Sequence, residues 1–260
     1  GPDLTPFTAI HATKDMVLMF NTQGMLVNEL ASYDPQSGKK NWSIGNKIKI
    51  KDTSEKGVEK ILSDITFTSG PVIVDAWIYV VVQSEGNLYL AKLSKSGAVL
   101  ALIPLGMADL GKPEDGMQVI SQDSLSWYQN KLYVSAQDGH LFQIDPVLFS
   151  VTWISNPSGF TKIYPEVNRR SIRLKSLAPV FKGEKIFYND PLTDKLYCID
   201  TKTGVPIWQK AFVSDYLFDI NKELFGASLS TGIQALSITG ELEWATDVFS
   251  VGRPTTTAGQ

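Results

Sequence analysis

The chain has 260 residues, of which 43% are apolar and 20% charged, as is typical of a folded protein with a large core. Its net charge of -3 argues against binding to nucleic-acid phosphates, and its apolar runs are far shorter than the ~20 residues of a membrane-spanning helix. The single cysteine, Cys198, excludes an internal disulfide and a cysteine-based metal centre. Gly1 and Pro2 resemble the remnant of a cleaved expression tag, and residues 3–260 are predicted to form one domain.

Five short β-rich runs follow one another along the chain, and each ends in a cluster of turn-forming residues. After each turn comes a further strand-like segment, such as Leu196–Ile199. Only the stretch Thr53–Leu62 has a spacing compatible with a helix. We therefore predict an all-β chain with four short strands in each of five units. The five runs are Met16–Phe20, Trp77–Val82, Lys131–Ser135, Lys185–Tyr188 and Leu224–Ala227.

One sequence motif recurs in these units. The segments Ser32–Trp42 and Cys198–Trp208 share the pattern small residue, any residue, Asp, two residues, Ser or Thr, Gly, three residues, Trp. One weaker copy has Phe149 at the glycine position, another is one residue shorter, and a third lacks both the Asp and the Trp. The average step is about fifty residues, which indicates a repeat architecture. The weaker copies are Gln143–Trp153, Ala235–Trp244 and Ala91–Ala101.

The first half of the motif carries turn chemistry. Its aspartate, as in Asp34 and Asp200, is predicted to accept amide hydrogens of the following turn. Its glycine, as in Gly38 and Gly204, is predicted to supply the positive φ that the turn requires. Because Asp34, Asp145 and Asp200 occupy equivalent positions of separate units, they are not expected to share a proton or a metal ion.

The last position of the motif carries a large aromatic ring. We predict that this ring is buried between neighbouring sheets, where aromatic burial contributes most to stability, so that Trp42 and Trp208 should be nearly buried. Four of the five copies have the tryptophan. These residues are Trp42, Trp153, Trp208 and Trp244.

The motif resembles the tryptophan-docking repeat of the pyrroloquinoline-quinone-type propellers, Ala-x-Asp-x-x-Thr-Gly-x-x-x-Trp. The resemblance is strong in two copies, partial in two and faint in one, and as an architecture it covers nearly the whole chain. It implies a β-propeller of about five four-stranded blades. A sixth blade is the alternative, because Arg253–Gly259 resembles the first strand of another blade. Alternatively, Pro254–Ala258 pairs with the blade containing Met16–Phe20 and closes the ring.

The catalytic members of that family differ from this chain. They resemble eight-bladed wheels with a pair of adjacent cysteines against the quinone and a calcium ion held by acidic and amide side chains. This chain has one cysteine, and no Asp/Asn cluster repeats the spacing of a calcium loop. The resemblance is therefore to non-catalytic members, one of which is a periplasmic lipoprotein that helps to insert outer-membrane barrels. We predict no cofactor and no metal site.

The long connectors between units are the predicted functional regions, because long links in a compact repeat are often functional. The alternating Lys47–Lys51 is expected to be an exposed fourth strand, and Ile103–Ser124 is expected to be a connector. The connector Asn156–Lys175 is either a solvated loop or a basic-aromatic surface for an acidic protein partner or a glycan. Its candidate partner-binding residues are Phe160, Lys162, Tyr164, Arg169, Arg170 and Arg173.

The sequence as a whole favours binding over catalysis. His11 and His140 are expected to be strand-edge residues without metal partners, and Cys198 is expected to be a buried, inert thiol. The predicted function is a non-catalytic protein-binding or scaffolding propeller on the extracytoplasmic side, part of a larger protein or assembly. The alternative is a glycan-binding lectin or a small-substrate enzyme that uses the mouth of the central channel.

Overall fold

A computed structural model describes residues 10–23, 26–51, 59–107, 123–159, 178–220, 223–228 and 231–247. Within these ranges every regular element is a β-strand, so the prediction of an all-β chain is confirmed. The alternative of a helix over Thr53–Leu62 is wrong for its described part, because Glu59–Leu62 is a strand. The described ranges hold no helix that is long and apolar enough to cross a membrane.

The first half of the described chain forms two large sheets and one small one. The first sheet has the order β1-β2-β3-β4, and the second has the order β11-β10-β9 with β7 and β8 both paired to β9. Strands β5 and β6 form a separate two-stranded sheet. The strands are β1 (Ile10–Ala12), β2 (Val17–Gln23), β3 (Leu26–Tyr33), β4 (Lys40–Ile44), β5 (Ile48–Lys51), β6 (Glu59–Leu62), β7 (Thr66–Phe67), β8 (Val72–Val74), β9 (Trp77–Ser84), β10 (Asn87–Ser94) and β11 (Val99–Met107).

The second half forms three sheets of four strands, each in sequence order. Counting only the large sheets, these are the third (β12–β15), the fourth (β16–β19) and the fifth (β20–β23). Neighbouring strands of the fourth and fifth sheets run antiparallel. The strands are β12 (Ser124–Tyr128), β13 (Lys131–Ser135), β14 (Leu141–Asp145), β15 (Ser150–Ser155), β16 (Val180–Lys182), β17 (Lys185–Asn189), β18 (Lys195–Asp200), β19 (Pro206–Ala211), β20 (Tyr216–Ile220), β21 (Glu223–Ser228), β22 (Gly232–Leu236) and β23 (Leu242–Thr246).

The chain divides into two compact units. One contains residues 1–134 and 144–151, and the other contains residues 135–143 and 152–260. The first two large sheets and the small sheet therefore belong to the first unit, and the fourth and fifth sheets belong to the second. The contacts described below lie within one or the other unit.

Burial falls from the middle strands of each sheet to its last strand. Strands β17 and β18 are buried on both faces, so their sequences read as nearly continuous apolar runs. The last strand, β19, has no strand beyond it and is mostly exposed. Since burying one large aliphatic side chain contributes ~1.5–3 kcal/mol, the middle strands supply most of the stabilising burial. This gradient is why the sequence marks the second and third strands most clearly.

The alternating segment Lys47–Lys51 does form a strand, but its predicted pairing is wrong. The fourth strand of the first sheet is β4, and β5 pairs instead with β6, with Ile48 opposite Leu62. Ile48 and Leu62 are both buried in the core shared by the first two sheets. The apolar side chains of β5 are thus buried in the core, and its backbone pairs with β6 rather than with β4.

The connector predicted at Ile103–Ser124 begins later than expected. Strand β11 continues to Met107 and β12 begins at Ser124, so only residues between these strands connect them. Pro104 lies opposite Tyr89, next to a register shift in the ladder. Because β11 is the outermost strand of its sheet, the donor that proline lacks is tolerated there.

Candidate functional site

The aspartates of the motif hold the turn between the third and fourth strands. Asp34 Oδ1 accepts hydrogen bonds from the amides of Gln36 (3.1 Å) and Ser37 (2.7 Å). Asp200 Oδ1 accepts from the amides of Lys202 and Thr203, both at 2.9 Å. These bonds, with those from the Ser37 and Thr203 backbone amides the strongest, lower the pKa of both carboxyl groups. The ionised carboxylates, which accept these hydrogen bonds, are therefore the forms present at neutral pH.

Asp145 organises an equivalent turn with an additional ion pair. Its Oδ1 accepts from the amides of Val147 (2.8 Å) and Leu148 (2.9 Å), and Lys131 Nζ lies 2.5 Å from its Oδ2. The hydrogen bond from Lys131, followed by those from the two amides, lowers the pKa of Asp145 to about 2. The backbone from Asp145 to Phe149 is thus fixed in place at neutral pH.

Each turn glycine that follows a docked tryptophan leaves room for its ring. A Cβ at Gly97 would lie 2.6 Å from Cδ2 of Trp42, and a Cβ at Gly204 would lie 2.7 Å from Cδ2 of Trp153. Both distances are shorter than any real Cβ contact, so no larger residue fits without moving the indole. The sequence predicts only the positive φ of Gly204, and it misses this second requirement.

A hydrogen bond accompanies the docking of the ring in two places. Trp42 Nε1 donates to the carbonyl of Lys95 at 2.8 Å, and Trp153 Nε1 donates to the carbonyl of Thr201 at 3.1 Å. A third indole, that of Trp208, lies against Gly240, where a Cβ would be 3.1 Å from the ring. The tryptophan of one copy therefore packs on the glycine of the next copy. Each of these tryptophans is followed along the chain by such a glycine, but the contact itself had to be seen in the structure.

The predicted near-complete burial of Trp42 and Trp208 is wrong in degree. Both side chains are partly buried and pack against core clusters, and the ring of Trp208 lies 5.9 Å from that of Phe187, centroid to centroid. Each tryptophan lies on the last and most exposed strand of its sheet, which accounts for its incomplete burial. Trp244 is 44% exposed.

The copy without Asp and Trp is assembled differently. Three of the motif tryptophans lie opposite a small residue: Trp42 opposite Ser32, Trp208 opposite Cys198 and Trp244 opposite Ala235. In the second sheet, Ala101 lies opposite Lys92. The predicted alignment, which puts Ala91 at the small position, is therefore wrong by one residue. The large side chain of this pair is Lys92 on β10, whereas in the other copies it is the tryptophan on the last strand. A motif search does not detect such a one-residue shift in register.

Lys92 takes the place of the missing tryptophan. Its ammonium donates to the carbonyl of Pro146 at 3.3 Å and lies 5.6 Å from the ring centroid of Phe149 and 4.9 Å from that of Trp77. Phe149 occupies the glycine position and keeps a positive φ of 49°. Because no indole docks here, a side chain is tolerated at the turn, and cation–π contacts hold it.

The turn that Asp145 organises presents two apolar side chains to solvent. Val147 is 86% exposed and Leu148 is 77% exposed, in positions that hold polar residues in the turns after Asp34 and Asp200. Single exposed apolar residues are ordinary, whereas these two are adjacent and their backbone amides are held by Asp145. We call Val147 and Leu148, with the flanking Phe149 and Trp77, the apolar turn patch.

The remaining candidate residues from the sequence are the cysteine and the histidines. Cys198 is fully buried, and burial raises the pKa of its thiol to about 11, so it is uncharged at neutral pH. His140 Nδ1 lies 2.9 Å from Asp138 Oδ2, and this hydrogen bond raises the pKa of the imidazole. In the ranges that the structure describes, no three His, Cys, Asp or Glu side chains are arranged to hold a metal ion.

The predicted partner-binding residues Phe160, Lys162, Tyr164, Arg169, Arg170 and Arg173 lie outside the described residues, as does the terminal strand predicted at Pro254–Ala258. The basic-aromatic surface and the sixth blade therefore stay predictions.

Comparison with known proteins supports the fold. No protein-family model and no curated protein matches the sequence. The chain is similar to the crystal structure of BamB from Moraxella catarrhalis, with a TM-score of 0.61 and 14% identity over 96% of this chain and 66% of that chain. It is also similar to a chain in the crystal structure of the mitotic checkpoint complex, with a TM-score of 0.56 and 11% identity over 94% of this chain and 64% of that one.

This chain therefore spans slightly less than two thirds of the length of either neighbour. At these identities the likeness concerns the fold alone. It supports the assignment of the chain to the β-propellers, in agreement with the consecutive four-stranded sheets.

Proposed function

We propose that this chain is a non-catalytic β-propeller of the quinoprotein-like repeat type, in which the five large sheets are blades, and that it binds protein partners as a scaffold. The recurring Asp turns and the tryptophan–glycine contacts support a repeat in which the shared motif residues stabilise the fold. One of the similar folds is that of a chain in the mitotic checkpoint complex. An extracytoplasmic location is part of the proposal and rests on the family resemblance of the repeat.

The apolar turn patch is the observation that carries this proposal. Burying one large aliphatic side chain in an interface contributes ~1.5–3 kcal/mol, so Val147 and Leu148 together could supply a substantial part of a protein contact. Because Asp145 already fixes the backbone amides of both residues, little conformational entropy is lost on binding. The proposed partner is a protein with an apolar segment that covers these two side chains.

The connector beyond Gly159 adds a second element to the proposal. Its arginines and aromatic residues would recognise an acidic protein partner or a glycan, as the sequence predicts. This part rests on composition, since those residues lie outside the described ranges.

The test compares two variants with the original chain in affinity capture from the native source. Val147→Ser with Leu148→Ser removes the apolar surface and leaves the backbone amides that Asp145 binds. The control is Val205→Ser, which removes an exposed valine that follows the glycine of the turn after Asp200. We expect a stoichiometric protein partner that is lost with the double variant and kept with the control.

Two results would overturn the proposal. A partner held equally by all three proteins would show that the apolar turn patch is not the contact. Binding of a glycan or turnover of a small substrate that persists in the double variant would favour the lectin or enzyme alternative.

A further inference from the structure

The imidazole of His140 connects two turns of the third sheet. His140 follows the turn that joins β13 to β14, and its carbonyl accepts from the amide of Ala136 at 2.8 Å. Its Nδ1 lies 2.9 Å from Asp138 Oδ2, and its Nε2 lies 3.5 Å from Asn156 Nδ2. All four residues belong to the second compact unit. One ring thus contacts both the turn before β14 and the turn after β15.

Asp138 holds the imidazole from one side. Its Oδ1 accepts from the amide of His140 at 3.1 Å, and its Oδ2 faces Nδ1 of the ring. The side chain of Asp138 is 10% exposed, and the ring of Phe142 lies 6.0 Å from the imidazole, centroid to centroid. Because Nδ1 carries a hydrogen in this tautomer and in the imidazolium, the contact with Asp138 is kept when His140 changes its charge.

Asn156 holds the turn that follows β15. Its Oδ1 accepts from the hydroxyl of Ser158 at 3.3 Å and from the amide of Gly159 at 3.2 Å. The amide of Gly159 also donates to the carbonyl of Asn156 at 3.2 Å. With Oδ1 directed at the turn, the Nδ2 group is the part of the side chain that meets His140. The predicted connector to the fourth sheet continues directly from this turn.

The Asn156 turn fits the neutral imidazole and conflicts with the charged one. In the neutral ring Nδ1 donates to Asp138, so Nε2 has a lone pair and accepts from Asn156 Nδ2. Protonation adds a hydrogen to Nε2 and leaves two donors facing each other. Rotating the Asn156 amide end over end would bring Oδ1 to Nε2, but it would take that oxygen away from Ser158 and Gly159. The bonds of this turn are therefore specific for a neutral His140.

The charged groups near His140 favour its protonation. Asp138 acts from the same turn, and its hydrogen bond raises the pKa of the imidazole above the ordinary 6.5 although burial lowers it. From the fourth sheet, Asp190 lies beside Gly139, where its Oδ1 would be 3.6 Å from a Cβ. The described side chains of β14 and β15 that contact the ring are neutral. His140 therefore changes its charge in the range where a modest change of pH acts on it.

We propose that His140 and Asn156 form a pH-dependent switch that controls the turn of residues 156–159. With a neutral imidazole, Asn156 donates to Nε2 and its Oδ1 holds Ser158 and Gly159. With a protonated imidazole, the ring stays on Asp138, the Asn156 side chain turns away, and Gly159 loses its bond to Oδ1. The turn is closed above the titration midpoint and opens below it. The switch uses no residue of the apolar turn patch and is independent of the proposed function.

The test follows His140 and the turn together by NMR as the pH falls from about 8.5 to about 5, the range in which a histidine titrates. We expect the backbone amide of Gly159 and the side-chain amide of Asn156 to shift with the midpoint of His140. His140→Gln should abolish this transition. The control His11→Gln removes the other histidine, which lies in the first compact unit, and should leave the transition unchanged. Circular dichroism checks that the variants are folded.

Hydrogen exchange separates an opening of the turn from a simple effect of charge on chemical shifts. Exchange of the Gly159 amide, corrected for the intrinsic effect of pH, should accelerate by about two- to tenfold on protonation, the effect of losing one hydrogen bond. In His140→Gln the corrected rate should be the same at both ends of the titration. Asp138→Asn removes the carboxylate and should lower the midpoints of His140 and Gly159 by equal amounts.

Three results would overturn the proposal. The first is a Gly159 amide whose corrected exchange stays constant while His140 titrates. The second is a Gly159 transition that survives in folded His140→Gln. The third, which needs no variant at His140, is a pair of midpoints that separate in Asp138→Asn.

Discussion

Replacing Gly204 with alanine separates the two roles of a motif glycine. Gly204 has a φ of 71°, a left-handed conformation that costs an alanine ~1–2 kcal/mol. The new Cβ would also lie 2.7 Å from two atoms of the Trp153 ring, Cδ2 and Cε3, so the indole must move. Overpacking of this kind typically costs ~1–3 kcal/mol. We expect Gly204→Ala to lower the free energy of unfolding by about 2–5 kcal/mol in total.

Gly183→Ala is the matched control in the same sheet. Gly183 also has a positive φ, 58°, but no described atom lies within 4 Å of the position of its Cβ. The backbone cost is therefore retained and the collision is removed, and we expect a loss of about 1–2 kcal/mol. The effect of alanine on the entropy of the unfolded chain is similar at both positions and cancels in the comparison.

The assay is urea unfolding followed by circular dichroism, a signal that does not depend on the indole that moves. The double variant Trp153→Ala with Gly204→Ala supplies a further check, because contacting residues give non-additive losses. Without the indole, the additional loss from Gly204→Ala should fall to that of Gly183→Ala. Equal losses for the two single glycine variants would refute the argument that the glycine makes room for the ring.

Two other predictions concern titrating groups. The pKa of Asp145 is lowered to about 2 from its ordinary 3.8, so its stabilising contribution is present above pH 3.8 and is lost as the pH falls through about 2. In NMR titrations of the carboxyl carbon, Lys131→Met should move the midpoint upward, and an unchanged midpoint would refute the role of the ion pair. Cys198 is buried with a thiol pKa of about 11, so a maleimide at pH 7.5 should modify it only as fast as the protein unfolds. Rapid labelling of the folded protein would contradict the burial.

Local patterns were sufficient for the strands and their turns. The run Lys131–Ser135 is strand β13, and the other predicted runs differ from their strands by no more than three residues at an end. The middle strands are buried on both faces, so their sequences are distinctive. The Asp34 and Asp200 turns depend on hydrogen bonds between residues two or three positions apart. Such local hydrogen bonds can be predicted from the residue types alone.

Contacts between distant segments needed the tertiary structure. The pairing of β5 with β6, the position of Lys92 opposite Ala101, and the fit of Trp153 on Gly204 join residues whose partner no local pattern names. The outward display of Val147 and Leu148 is a further case, since apolar residues in a sequence more often indicate a core. The sequence by itself determined which segments become strands and turns, because those preferences act between near neighbours. Only the tertiary structure decided which side chains meet across sheets and which remain exposed, because that depends on the packing of all the strands at once.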